Sequence, residues 1–195
     1  MSILSPALLG AVGLVMVAAS LSHLRSPEAL RRGLGAHRVL PERLHTPISR
    51  VLGPLELVLG AAALVLAVTG APLAPTLLVG MPLAGLSLAL TVYLWQVLRV
   101  TAGDVVPCAC GLGEAPVGLP AVVRAGILTV LALTGATTAN GWAIHTAPVA
   151  EIFVALAAML VLALATALLP AARAVPAPAI RAGGPDLDTN ARGLR

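Results

Sequence analysis

The chain has 195 residues, of which 58% are hydrophobic, 10% charged and 2% aromatic, with a mean hydropathy of +0.98. A soluble domain carries about 25% charged residues, so this chain has too little polar surface to face water on all sides, and a soluble globular fold is excluded. The formal net charge of +4 with a pI near 10.5 looks basic. However, every basic residue is an Arg lying beside apolar stretches, without interleaved aromatics, which excludes a nucleic-acid surface.

Five runs are long enough to cross a bilayer core, which takes about 20 apolar residues. They are 6–24, 51–69, 77–98, 119–139 and 147–169. Unpaired backbone cannot cross lipid, and runs this uniformly apolar do not alternate as barrel strands do, so the fold class is all-α. The expected architecture is a polytopic transmembrane helical bundle, a four-helix core plus one, over residues 1–170. Residues 171–195 are rich in Ala, Pro, Gly and Arg without helical period and read as a disordered tail.

The connections differ. Between the first two runs lies an Arg-rich segment in which Pro27 to Arg32 reads as a short interfacial helix, with Ser26 as cap and Pro27 at the first position. His37 and His45 in that segment read as solvated. Residues 70–75 form a tight turn, residues 100–118 a longer loop, and residues 140–146 a short loop without Arg. Tyr93, Trp95, Trp142 and Phe153 fall near run ends, as aromatic belts do. Met1 to Ser5 carry no basic residue, which argues against a cleaved leader.

Five crossings place all 12 Arg on one face. By the positive-inside rule that face is cytoplasmic, with the N-terminus outside and the cysteine loop and C-terminus inside. The same segments would meet anionic lipid headgroups.

The chain's two cysteines are Cys108 and Cys110, separated by Ala109. A disulfide between positions i and i+2 closes a small ring, and strained, exposed disulfides are the exchanging kind. Three readings are open: a redox dithiol that cycles with a partner, a pair of inert loop thiols, or half of a metal site. No His lies nearby to complete a metal site, so no metal is assigned.

Only Glu56, Arg124 and Glu151 are charged within the five runs. Each lies within about two turns of an expected helix end, where a long side chain can snorkel. Glu56 and Arg124 fall at similar depth below the face that carries the cysteines, so an ion pair beneath the thiols is expected, supporting them or fixing helix packing. His23, at the end of the first run on that face, is either a proton relay or an interfacial histidine. Pro54, Pro82 and Gly85 bend or thin their helices, which opens a cavity for a quinone or lipid tail or permits close helix packing.

Four landmarks in order carry a family resemblance: Ser22-His23-Leu24-Arg25-Ser26-Pro27, His37-Arg38-Val39-Leu40-Pro41, Leu55-Glu56-Leu57 with Gly60, and Cys-x-Cys-Gly followed by Arg124. From about residue 5 to 170 the chain resembles the methylamine utilisation MauE proteins, grouped with DoxX-like membrane proteins. The family loop tends to read Cys-Gly-Cys-Phe-Gly, whereas Ala109 stands here for the first Gly. The resemblance implies a redox-associated protein of a bacterial inner membrane, linked to maturation of methylamine dehydrogenase, an enzyme with a disulfide-rich subunit and a quinone cofactor. It further implies a catalytic pair Cys108 and Cys110, supported by Glu56, Arg124 and His23. The expected partners are the bilayer and a thioredoxin-like protein, with a quinone as candidate electron carrier. A non-catalytic assembly factor is the alternative.

Overall fold

The computed structural model describes residues 3–101, 106–108 and 116–172. The described residues form six helices: α1 (Leu4–Arg25), α2 (Pro27–His37), α3 (Glu42–Thr69), α4 (Leu73–Val100), α5 (Leu119–Thr137) and α6 (Val149–Ala172). Five of them, all but α2, are long and apolar enough to cross a membrane. The segment after residue 172, read as a disordered tail, lies outside the described residues.

Burial ranks the helices. α1 is apolar all round and 72% of its spanning window is buried, against 22–44% for the other four. A helix apolar on every side belongs in an interior, and α1 is the axis on which α3, α5 and α6 pack. Its Ala11, Val12, Val15 and Met16 meet Ala63 of α3, Leu83 and Ala84 of α4, Leu128 and Ala132 of α5 and Ala163 of α6 in one buried cluster. The outer faces carry Val58, Val65, Leu78, Val130, Val154 and Val161, all more than half exposed, as lipid-facing positions must be.

Lipid offers no hydrophobic drive between helices, so close backbone approach at small residues has to hold them. The α1–α3 crossing is one example, backbone against backbone. A Cβ added to Gly13 would lie 2.8 Å from the Gly60 carbonyl oxygen, and one added to Gly60 would lie 3.0 Å from that of Gly13. α3 ends at Gly70 in the left-handed conformation (φ 72°), packed against Ala143 and the backbone of Gly141 and Trp142. That end is further tied by Ile144 N–H donating to Val68 O (3.0 Å) and Ser5 Oγ donating to Gly135 O (2.7 Å).

Three elements exceed their sequence expectation by five residues or more. α4 spans Leu73–Val100 rather than 77–98, taking in part of the expected 70–75 turn. α3 starts at Glu42 rather than Val51, because polar residues 42–50 continue the helix beyond the apolar stretch that hydropathy detects. α2 runs to His37 rather than Arg32 and closes at Arg38 in the left-handed conformation (φ 54°). Leu30, Leu34 and His37, spaced i, i+4, i+7, are its buried stripe.

Substituting Gly13 or Gly60 with Leu is expected to force α1 and α3 apart and to lower stability by about 1–3 kcal/mol, the usual penalty of overpacking. Gly85→Ala, where nothing lies within 4 Å of an added Cβ, should be neutral or stabilising by up to about 1 kcal/mol. Thermal unfolding in detergent micelles checks both.

Candidate functional site

Among the described residues, His23, His37, Glu56, Tyr93, Cys108 and Arg124 gather at one end of the bundle, reached by the C-terminal halves of α1 and α4 and the N-terminal halves of α3 and α5. α2 lies across this end. A cavity of about 240 Å³ opens beneath it, lined by residues of α1, α2, α3, α4 and α5. Most of its wall is aliphatic, including Val15, Met16, Leu30, Leu34, Leu52 and Leu128. Its polar members are His23, His37, Glu56, Ser87, Tyr93 and Arg124.

Glu56 is 2% exposed. The early start of α3 puts it nearly four turns inside that helix (14 residues past Glu42 at about 3.6 per turn), so it does not snorkel to the surface as expected from the apolar run alone. Its Oε2 lies 3.5 Å from Nε2 of His23, which is 5% exposed, yet that oxygen has no hydrogen-bond partner among the described residues. Arg124 is 7% exposed. Seven other described arginines, Arg25, Arg31, Arg32, Arg38, Arg43, Arg50 and Arg99, are exposed, so Arg124 alone among them points its charge inward.

The expected Glu56–Arg124 ion pair is not formed. Both side chains face one cavity, but the side chain within 4 Å of Glu56 is His23 (3.5 Å). Arg124 lines the same cavity as Glu56 and His23 without an ion pair to either.

His37, which reads as solvated in the sequence, is 1% exposed. Its Nε2 lies 3.0 Å from the Pro107 carbonyl and its Nδ1 2.8 Å from the Tyr93 hydroxyl. A carbonyl only accepts, so Nε2 carries the hydrogen, and in the neutral ring Nδ1 accepts from Tyr93. Tyr93 is therefore a cavity residue rather than a member of an aromatic belt, and its ring stands 5.6 Å from that of His37. Trp95 does face outward, 43% exposed, with the Arg99 guanidinium 5.1 Å from its ring centre. At the far end Trp142 Nε1 donates to Glu151 Oε2 (3.0 Å). The signal that locates His37 is the Leu30, Leu34, His37 period, which places it on the inward face of α2.

Through His37, the lid helix, the cavity wall and the cysteine loop meet at one imidazole. The base of the loop is pinched by Val117 N–H donating to Val106 O (2.9 Å), with Pro107 facing Pro116. Cys108 follows directly. It is half-buried, disulfide-bonded and packed against Leu94, Ala121, Val122 and Ala125. Leu94 and Ala125 also line the cavity, so one layer of side chains separates Cys108 from it. Cys110, the chain's other cysteine, lies outside the described residues. Among the described residues no three of His, Cys, Asp and Glu converge as metal ligands do.

Residues 1–138, which include every helix lining the cavity, match the family described as methylamine utilisation protein MauE. The chain belongs to the MauE family. No curated protein and no solved structure matches it. The match ends with α5, so α6 lies beyond the matched residues. It covers the whole site: His23, His37, Glu56, Tyr93, both cysteines and Arg124.

Burial holds the His37 imidazole below its ordinary value of 6.5, opposed by its bond to Pro107. An undocked His37 therefore binds a proton more readily than a docked one, so docking of α2 is fully stable above pH 6.5 and weakens as pH falls below it. Hydrogen exchange of α2 should accelerate as pH is lowered from 7 to 5, and His37→Gln should flatten that dependence. Tyr93→Phe should cost about 1 kcal/mol, read as faster exchange in α2 at pH 7.5.

Proposed function

We propose that this MauE-family protein is a membrane accessory factor that exchanges disulfides through Cys108 and Cys110 with a thioredoxin-like protein. The observation that carries the reading is the placement of Cys108. It is disulfide-bonded and half-buried, and its preceding carbonyl is anchored by a buried histidine above a cavity that holds further ionisable groups. Inert loop thiols need no such anchoring.

The exchange balances as follows. A partner thiolate attacks one sulfur of the pair, forming a mixed disulfide while the other sulfur leaves as thiolate. The partner's second thiolate then attacks the mixed disulfide, forming the partner's disulfide and freeing the second cysteine. Two electrons pass to the Cys108–Cys110 pair, and the reverse steps reduce the partner. The family's name refers to methylamine utilisation, and the proposed setting is maturation of a disulfide-rich or quinone-cofactor enzyme such as methylamine dehydrogenase. The proposed orientation puts the exposed arginines and the cysteine loop on the cytoplasmic side of an inner membrane.

A second reading has its own observation. The exposed Arg25, Arg31, Arg32, Arg38, Arg43, Arg50 and Arg99 surround the same end and suit docking of an acidic partner by a non-catalytic assembly factor. Cys108→Ser and Cys110→Ser separate the two. Each should abolish exchange while leaving insertion intact, and the remaining cysteine should trap a mixed disulfide visible on a non-reducing gel. Full activity in both variants would establish the scaffold instead. Labelling intact cells with impermeant and permeant thiol reagents after reduction tests orientation, with reaction expected only for the permeant reagent.

A further inference from the structure

Disulfide exchange at the cysteine loop draws on His37 at the cavity wall, but His23, Glu56 and Arg124 have requirements of their own. Glu56 Oε2 is buried without a hydrogen-bond partner. Arg124, more than nine-tenths buried, lines the cavity and has no ion pair within 4 Å among the described residues. A buried polar atom left unmatched costs about 1–3 kcal/mol, more when charged, so the cavity is built for a ligand that supplies matching groups.

The lining restricts that ligand's chemistry. The aliphatic wall selects an apolar body. An anionic lipophile would satisfy Arg124 but face Glu56, and a cation the reverse. A purely apolar molecule would satisfy neither. A neutral carbonyl/hydroxyl redox couple suits the pair: the carbonyl of the oxidised form accepts from Arg124, and the hydroxyl of the reduced form accepts from Arg124 while donating to Glu56.

The cavity also communicates with the membrane side of the bundle. α3 packs on α1 and α4 on α5, while α3 and α4 touch little. On α4, Ala89 is exposed to the outside yet lines the cavity. Gly85, one turn earlier, has nothing within 4 Å of an added Cβ. This seam of small residues leaves passage for an alkyl or isoprenoid tail.

We propose that the cavity binds a lipid-soluble quinone and its hydroquinone, head group against Arg124, Glu56 and His23 and tail leaving between α3 and α4, as the two-electron partner of the cysteine pair. The electron-transfer part of this rests on the exchange reading; the binding site does not. In the oxidising direction the two S–H bonds of the cysteines break and the S–S bond forms. Two electrons and two protons pass to the quinone, whose two carbonyl oxygens become hydroxyls. His23 and Glu56, 3.5 Å apart, are the proton-exchanging pair beside those oxygens.

The test is calorimetric titration of the full chain in phosphatidylcholine nanodiscs with a decyl-substituted benzoquinone, corrected for empty discs. The wild type and a Cys108→Ser/Cys110→Ser double variant should bind one equivalent with equal Kd. Arg124→Gln and Ala89→Trp should each weaken binding at least tenfold, and Arg124→Lys should recover part of the loss. Ala89→Trp narrows the passage at an exposed position, so its effect does not depend on whether the Arg124 variants fold. Absence of saturable binding to the wild type and the double variant would overturn the proposal, as would Ala89→Trp binding like the wild type, or displacement of the quinone by equimolar decanoic acid. If the cysteines prove inert while the double variant binds quinone, the exchange reading falls and the site stands. If exchange proceeds without quinone binding, the site falls and the exchange reading stands.

Discussion

Taking an ionisable side chain out of water costs several kcal/mol unless its new surroundings replace what water gave it, and a charged residue at the centre of a spanning helix costs about 2.5–3.5 kcal/mol even on insertion scales. Glu56, His23 and Arg124 come from three different helices, and each is less than 8% exposed. None of them can be held there alone. Their burial requires α1, α3 and α5 to converge at one depth, and that requirement, with the Gly13–Gly60 contact of α1 and α3, fixes the register of this end of the bundle.

Convergence at that depth leaves a gap, because α1 packs on α3 and α5, and α4 on α5, while α3 and α4 touch little. α2 covers the gap. It is short and exposes Arg31 and Arg32 to the outside, so on its own it would be a marginal helix. It is held by the Leu30 and Leu34 side chains, which are 3% exposed, and by His37. Placing both nitrogens of a single buried imidazole between a cavity residue and the carbonyl before Cys108 couples lid, cavity and loop. Displacing any of the three breaks a hydrogen bond in an environment where water does not readily replace it.

Much of this was legible in the sequence, for a physical reason. Lipid demands long apolar helices, so hydropathy alone yields five spans, and the Arg distribution groups their ends. Cys108, Glu56 and Arg124 are conspicuous because charge and thiol are rare in this composition. What hydropathy cannot read is the helical structure of polar segments. Residues 42–50 and 33–37 are too polar to register as spans, yet they are helical, and that shift moves Glu56 from an expected snorkelling position to the interior and His37 from solvent to the core of the lid. A helical-period reading of Leu30, Leu34 and His37 recovers the second. The first follows only if α3 is extended through Pro47, the sixth residue of the helix, which an internal proline argues against. The choice of His23 rather than Arg124 as the neighbour of Glu56 depends on rotation of α1 against α3, which the Gly13–Gly60 contact sets and which no linear pattern encodes.

The two ends of the molecule are built on opposite principles. At the Gly70 end, backbone meets backbone: Gly70 against Gly141 and Trp142, Ile144 N–H on Val68 O, Ser5 on Gly135 O. Such an end has no room for a ligand and no titratable group at its core. At the other end the contacts are made by side chains around open volume, with the cysteine loop one residue layer away. A packed end keeps the helices from splaying, and that rigidity is what allows the opposite end to hold a cavity with an unmatched carboxylate oxygen without collapsing onto it. The asymmetry argues that stability is concentrated at one end so that the other can carry chemistry.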